Sequence, residues 1–174
     1  YKVTGVQTCA LPISQMENRM LKALRNAGIA IAAMSVLAAG AQAASMDKPV
    51  AARQAVMKIN GFYMGQLGAM AKGKMEYNAK TAQAAANSLL ALAKMNTGSM
   101  WVPGSGNDKL GDKTRAKPEI WSTYPDVANK GKDLVMALEG MVKVVGSGVD
   151  GLRGSIGAVG KACGGCHKPF REKK

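Results

Sequence analysis

The chain has 174 residues, with 24 Lys and Arg against 11 Asp and Glu and a formal charge of +13. Such a surface favours acidic partners and speeds encounter with them at low salt. The lysines are scattered singly, and no basic run interleaves with aromatics, so the charge does not point to nucleic acid.

Tyr1 to Ser14 has neither helical nor strand period, and Val3 to Ser14 matches the in-frame translation of a common sequencing-adapter oligonucleotide. Residues 1–15 are therefore expected to be a non-native leader, and Cys9 is set aside with them. A start at Met16 or Met20 exposes the parts of an export signal. Arg19, Lys22 and Arg25 form a positive region, Gly28 to Gly40 is an apolar run of 13 residues, and Ala41-Gln42-Ala43 is a small-x-small cleavage site. The apolar run is short of the ~20 residues of a spanning helix. Residues 16–43 thus read as a cleaved secretory signal, with no stable membrane insertion afterwards. Without the four cations and one acid before residue 44, the rest keeps a formal +10 and has the size of one domain.

Nothing after residue 43 alternates with period two for long. Four segments carry helical spacing instead. The first runs from about Lys48 to Lys72, with Val50, Met57, Gly61, Met64, Gly68 and Ala71 on one stripe and Gly73 suited to a left-handed stop. Asn78 is an N-cap candidate for the second, about Ala79 to Met95, which turns Ala82, Ala86, Leu89 and Ala93 inward. From Asn96 to Tyr124, glycines and prolines break the pattern, and a long connection is expected, held by Trp101, Ile120 and Trp121. The third helix, about Asp126 to Val145, aligns Leu134, Leu138, Met141 and Val145. After Gly146-Ser147-Gly148, the fourth, about Val149 to Arg171, aligns Leu152, Ile156, Val159, Cys163, Cys166 and Phe170. The fold class predicted is all-α: an antiparallel four-helix bundle with one long crossover between helices 2 and 3.

Gly148, Gly151, Gly154, Gly157 and Gly160 recur at every third position of the last helix. A period of three drifts around a helix, so they cannot all line one contact. One or two are expected to permit close approach, and the others to cost helix stability.

The chemistry is concentrated in Cys163-Gly164-Gly165-Cys166-His167. Two thiols three residues apart, followed at once by an imidazole, are what covalent haem attachment requires: each thiol adds to a vinyl group and the histidine reaches the iron. Zinc would need four N or S ligands, and with Cys9 aside only these three are present. A thioredoxin-like pair would need a βαβ context that is not visible. Cys163 and His167, four apart, share a helix face, so haem is expected within the bundle core.

Three stretches resemble class II c-type cytochromes, the group of cytochrome c′ and its low-spin six-coordinate relatives. They are Arg53-Gln54-x-x-Met57, Lys117-Pro118-Glu119-Ile120-Trp121, and Val159 to His167 with Arg171. The resemblance runs from about Asp47 to the end. It implies a periplasmic haem protein of a Gram-negative bacterium, with one haem c held through Cys163 and Cys166 and His167 as proximal ligand. It makes Met57 the side chain facing the iron, either a sixth ligand or a packing residue. Arg53 is implied to meet a haem propionate, and Arg171 to lie along the proximal face, against the simpler readings of helix-surface cations. The expected function is one-electron transfer with acidic redox partner proteins. The alternative is a five-coordinate haem that binds nitric oxide or carbon monoxide. With no distal histidine, an electron carrier is expected rather than an enzyme. Family members often dimerise through the first two helices, and the small residues here permit a homodimer.

Overall fold

In this computed structural model the residues described are 46–173, so the expected leader and secretory signal lie outside them. The first helix, α1, covers 46–71 among the described residues. It stops at Gly73, whose φ of 69° is open to glycine. There Lys74 N–H bonds the Ala69 carbonyl at 2.9 Å and Gly73 N–H bonds Met70 at 3.1 Å, satisfying carbonyls the helix end would orphan. Helix α2, Ala79–Lys94, begins where the Asn78 side chain accepts from Thr81 N–H. The crossover contains two single 3₁₀ turns, Gly98–Met100 and Gly111–Lys113, and two one-turn helices, α3 (Asn107–Leu110) and α4 (Glu119–Ser122). Helix α5 is Asp126–Val144. A 3₁₀ turn and Gly148, at φ 139°, lead into α6, Val149–Phe170. Among the described residues there is no named strand, and no helix is long and apolar enough to cross a membrane. The antiparallel four-helix architecture with its long crossover is as the sequence predicts.

The main core joins Leu67 and Met70 of α1, alanines and Leu89 of α2, Leu138 and Met141 of α5, and Leu152 and Val159 of α6. Alanine-rich α2 brings its backbone close, which is why Ala82, Ala85 and Ala86 are fully buried. A second, smaller cluster of Ala116, Ile120 and Phe170 closes the other end, with Trp101 and Trp121 packed on it. Trp121 Nε1–H donates to the Trp101 carbonyl at 2.9 Å, so both indoles tie the crossover down as expected.

One stripe differs from expectation. The buried positions of α1 are Val50, Arg53, Leu67 and Met70, whereas Met57 and Gly61 lie exposed. Part of the difference is Arg53, whose guanidinium, hydrogen-bonded through both terminal nitrogens, takes a core position that an apolar pattern would never assign to it.

Candidate haem site

Each long helix that reaches the second cluster is well packed in one half and uncovered in the other. In α1 no residue of 54–66 is buried, in α5 none of 126–137, and in α6 none of 160–169. These stretches lie at one end of the bundle. Val127 packs with the Phe170 cluster, Lys117 N–H bonds the Phe170 carbonyl at 3.0 Å, and Arg53 reaches the crossover at Thr114.

The attachment motif sits in this uncovered half. Cys163 packs against the main core and Cys166 against the second cluster, so the two thiols straddle the seam between them. Both are free thiols, half-buried, and burial raises the pKa of each. For Cys166 the neighbouring Cys163 adds to the rise and Lys130 opposes it. His167 is half-buried too. Its pKa is lowered, first by burial and then by the Arg171 and Arg115 cations, which favours the neutral imidazole that can bind a metal. Gly164 and Gly165 have open space where a β-carbon would project. Paired thiols, a neutral imidazole and a half-open seam between two apolar clusters suit a flat, apolar, covalently held group.

The remaining expected site residues are placed as follows. Met57 is 47 % exposed on α1, within the uncovered stretch. Arg171 is exposed at the end of α6, its N–H donating to the His167 carbonyl. Arg53 is only 3 % exposed and its guanidinium is engaged by the crossover. Nη1 donates to Ser105 Oγ at 2.6 Å and the Met100 carbonyl at 3.3 Å. Nη2 donates to the Ser105 carbonyl at 2.5 Å and Thr114 Oγ1 at 2.9 Å. The group also stacks over Trp101, 4.8 Å from the ring centroid. This leaves the Nε–H as the donor for any further carboxylate. Ser105 and Thr114 carry no mark in the sequence. A hydroxyl in a turn-rich connection reads as solvated until its partner is known.

A four-helix bundle that presents a Cys-x-x-Cys-His motif to an uncovered core defines a c-type haem protein. The family model described as cytochrome c′ matches residues 48–171, and the chain belongs to the cytochrome c′ family. The chain is 34 % identical to the cytochrome c′ of Cereibacter sphaeroides over 141 residues, 81 % of this chain and 94 % of that one. Among solved structures, cytochrome c′ from Rhodobacter spheriodes superposes with a TM-score of 0.71 at 32 % identity, covering 74 % and 98 % of the two chains. A cytochrome c′ described as having an unusual ligand-controlled dimer dissociation superposes at 0.67, also at 32 % identity, covering 74 % and 97 %. The cofactor of the chain is accordingly a single haem c, joined through Cys163 and Cys166.

Proposed function

We propose that the chain is an exported one-electron carrier, with His167 as the proximal ligand and Met57 facing the iron from α1. Haem, when bound, supplies an iron that takes up and returns one electron. The observation that carries this reading is the seam: Cys163 and Cys166 face different apolar clusters across the half of the bundle that its own side chains leave uncovered. There the two thiols hold the group, and His167 offers a neutral ring nitrogen. Arg171 and Arg115 oppose protonation of that ring, and Arg53 retains one N–H for a propionate. Export follows from the charged, apolar and small-residue segments at 16–43, and it makes the compartment periplasmic. The surplus of basic residues suits acidic redox partners.

A second reading is gas binding, with Met57 as a packing residue beside the iron rather than a ligand to it. A related cytochrome c′ is described by its ligand-controlled dimer dissociation. Self-association here has a matching surface on α1 and α2. Phe62 is 65 % exposed, and a shallow groove of about 500 Å³ is lined by Ile59, Tyr63, Leu92 and Met95.

One optical spectrum of the holoprotein separates the two readings. A low-spin spectrum with a methionine-ligation band that Met57→Ala abolishes supports the electron carrier. A high-spin spectrum that shifts on adding carbon monoxide supports the gas binder. Absence of covalently held haem would overturn both.

A further inference from the structure

We propose that residues 113–117 of the crossover form a strap that sets the spacing between the turn of α1 bearing Met57 and the turn of α6 bearing His167, with Thr114 as its keystone. This rests on the reading that those two residues face each other across the haem.

The strap is held on both edges. On the α1 side, Arg53 Nη2 donates to Thr114 Oγ1 at 2.9 Å, Gln54 Nε2 donates to the Lys113 carbonyl at 2.8 Å, and Lys113 Nζ lies 3.1 Å from Asp47. On the α6 side, Lys117 N–H bonds the Phe170 carbonyl at 3.0 Å and Glu172 N–H bonds the Arg115 carbonyl at 2.8 Å. Ala116 and Arg171 form an antiparallel bridge. The Arg115 side chain returns to the Glu172 carbonyl through Nε and Nη2, at 2.8 and 2.6 Å. Thr114 Oγ1 joins the two edges, accepting from Arg53 and also from Ala116 N–H at 3.2 Å.

Arg53 lies one helical turn before Met57, and Arg171 one turn after His167. Between these anchored turns and the main core, neither α1 (54–66) nor α6 (160–169) buries a residue. Tyr63, Met64 and Cys163 pack only at the edge of the main core, so protein side chains grip the two helices less firmly here than at Leu67 and Val159. Close-packed surfaces resist sliding, whereas uncovered ones do not. The separation is governed at one end by the core at Leu67 and Val159, and at the other by the strap. Thr114 is buried, so losing its hydroxyl removes an acceptor from a buried cation rather than exchanging it for water. A positioning role follows: the strap decides how closely α1 approaches the iron side of His167, and with it ligand access.

The test uses the holoprotein reduced under carbon monoxide, measuring the gas association rate and the spin-state spectrum of each variant. Thr114→Val keeps the shape and removes the hydroxyl. It is expected to raise the association rate at least fivefold and to increase any high-spin fraction, and Thr114→Ser is expected to restore both. Tyr77→Phe is the control at the opposite end of the bundle, where that hydroxyl donates to Val145 and accepts from Gly148. It should lower the melting temperature without changing the rate. Should Thr114→Val not fold, Gln54→Leu, at an exposed bond of the same strap, carries the test with an expected increase of at least twofold. An unchanged rate in the folded strap variants, or an equal change in Tyr77→Phe, overturns the strap. If the strap variants shift the rate while Met57→Ala leaves spectrum and rate untouched, the role given to Met57 falls and the strap stands.

Discussion

Gly151 lies against the carbonyl of Val144, and a β-carbon built on Gly151 would collide with that oxygen. The contact fixes how the α5–α6 reversal closes, since the backbone can approach this closely only where no side chain intervenes. Gly154, Gly157 and Gly160, by contrast, are exposed with open space around the β position. The five glycines therefore divide into Gly148, whose φ of 139° requires glycine, Gly151 with its close contact, and three positions where glycine only loosens the helix.

Thermal unfolding of single alanine variants checks this. Each of Gly154→Ala, Gly157→Ala and Gly160→Ala is expected to stabilise by about 0.8–1 kcal/mol, the propensity difference in a helix interior. In a domain of this size that raises Tm by roughly 2–6 °C. Gly151→Ala is expected to lower it. A fall in Tm for all three exposed variants would show that these glycines serve a contact the open space does not reveal.

Arg53 combines burial with complete use of its terminal nitrogens, so it contributes to the fold whatever it offers to haem. Arg53→Leu leaves Ser105 and Thr114 without their donor and removes the stack on Trp101. The expected cost is about 2–4 kcal/mol, the usual range for breaking a buried hydrogen-bonded charge site. Urea unfolding should show it as a lower midpoint with an unchanged slope. A loss below about 1 kcal/mol would mean that the crossover is held mainly by its indoles.

These two cases show what the sequence made legible and where it did not. The limits of α2, α5 and α6 and the end of α1 were readable to within a residue, because Asn78 caps α2, Gly73 stops α1 and Gly148 opens α6, whereas the one-turn helices of the crossover were not. The haem motif was readable because its chemistry depends on spacing within one helical turn. The inward face of α1 was not. Its apolar residues near Met57 have no protein partner to pack on, while its buried Arg53 carries the mark of a surface residue. Pairing of 115–117 with 170–172 was equally silent, since a bridge a few residues long leaves no periodicity.

The exposed pair between α2 and α5 yields a pH prediction. Lys94 Nζ is 2.7 Å from Glu139 Oε1, and that hydrogen bond with its attraction lowers the Glu139 pKa from 4.5. A carboxylate whose folded pKa is depressed adds stability above its unfolded value, lost as pH falls through the folded one. Glu139→Gln should therefore unfold more easily than the parent near neutrality, with the difference shrinking as pH falls below the ordinary glutamate value of about 4.3 and vanishing once the folded carboxylate also protonates. Salt should shrink the difference, because both side chains are solvated. A difference that persists in acid would assign the effect to packing.

The α1–α2 surface gives a prediction on assembly. Phe62 is exposed and meets Tyr63 edge to face at 5.3 Å, and Tyr63 lines a groove with the exposed Ile59 and Met95. Apolar side chains grouped on one face, rather than scattered, mark association surfaces. Phe62→Glu places two like charges at the centre of a two-fold contact and is expected to convert a dimer to a monomer in sedimentation analysis. The haem spectrum should not change. A parent already monomeric at tens of micromolar would refute the assignment.

Covalent attachment makes the sharpest demand, because its outcome is nearly all-or-none. Each cysteine provides one thioether, so Cys163→Ala or Cys166→Ala singly should retain haem through the other sulfur. The double variant should release it into acid-acetone. His167→Ala should keep the thioethers and lose the axial ligand, changing the spectrum without releasing the group. The apoprotein end of the bundle is expected to be looser, since residues of 54–66, 126–137 and 160–169 are at most partly buried there. Haem loss in the double variant should thus also lower the amide protection of those stretches relative to the half around Leu67, Leu138 and Leu152. Haem that survives acid-acetone without either cysteine would refute the assignment of the site.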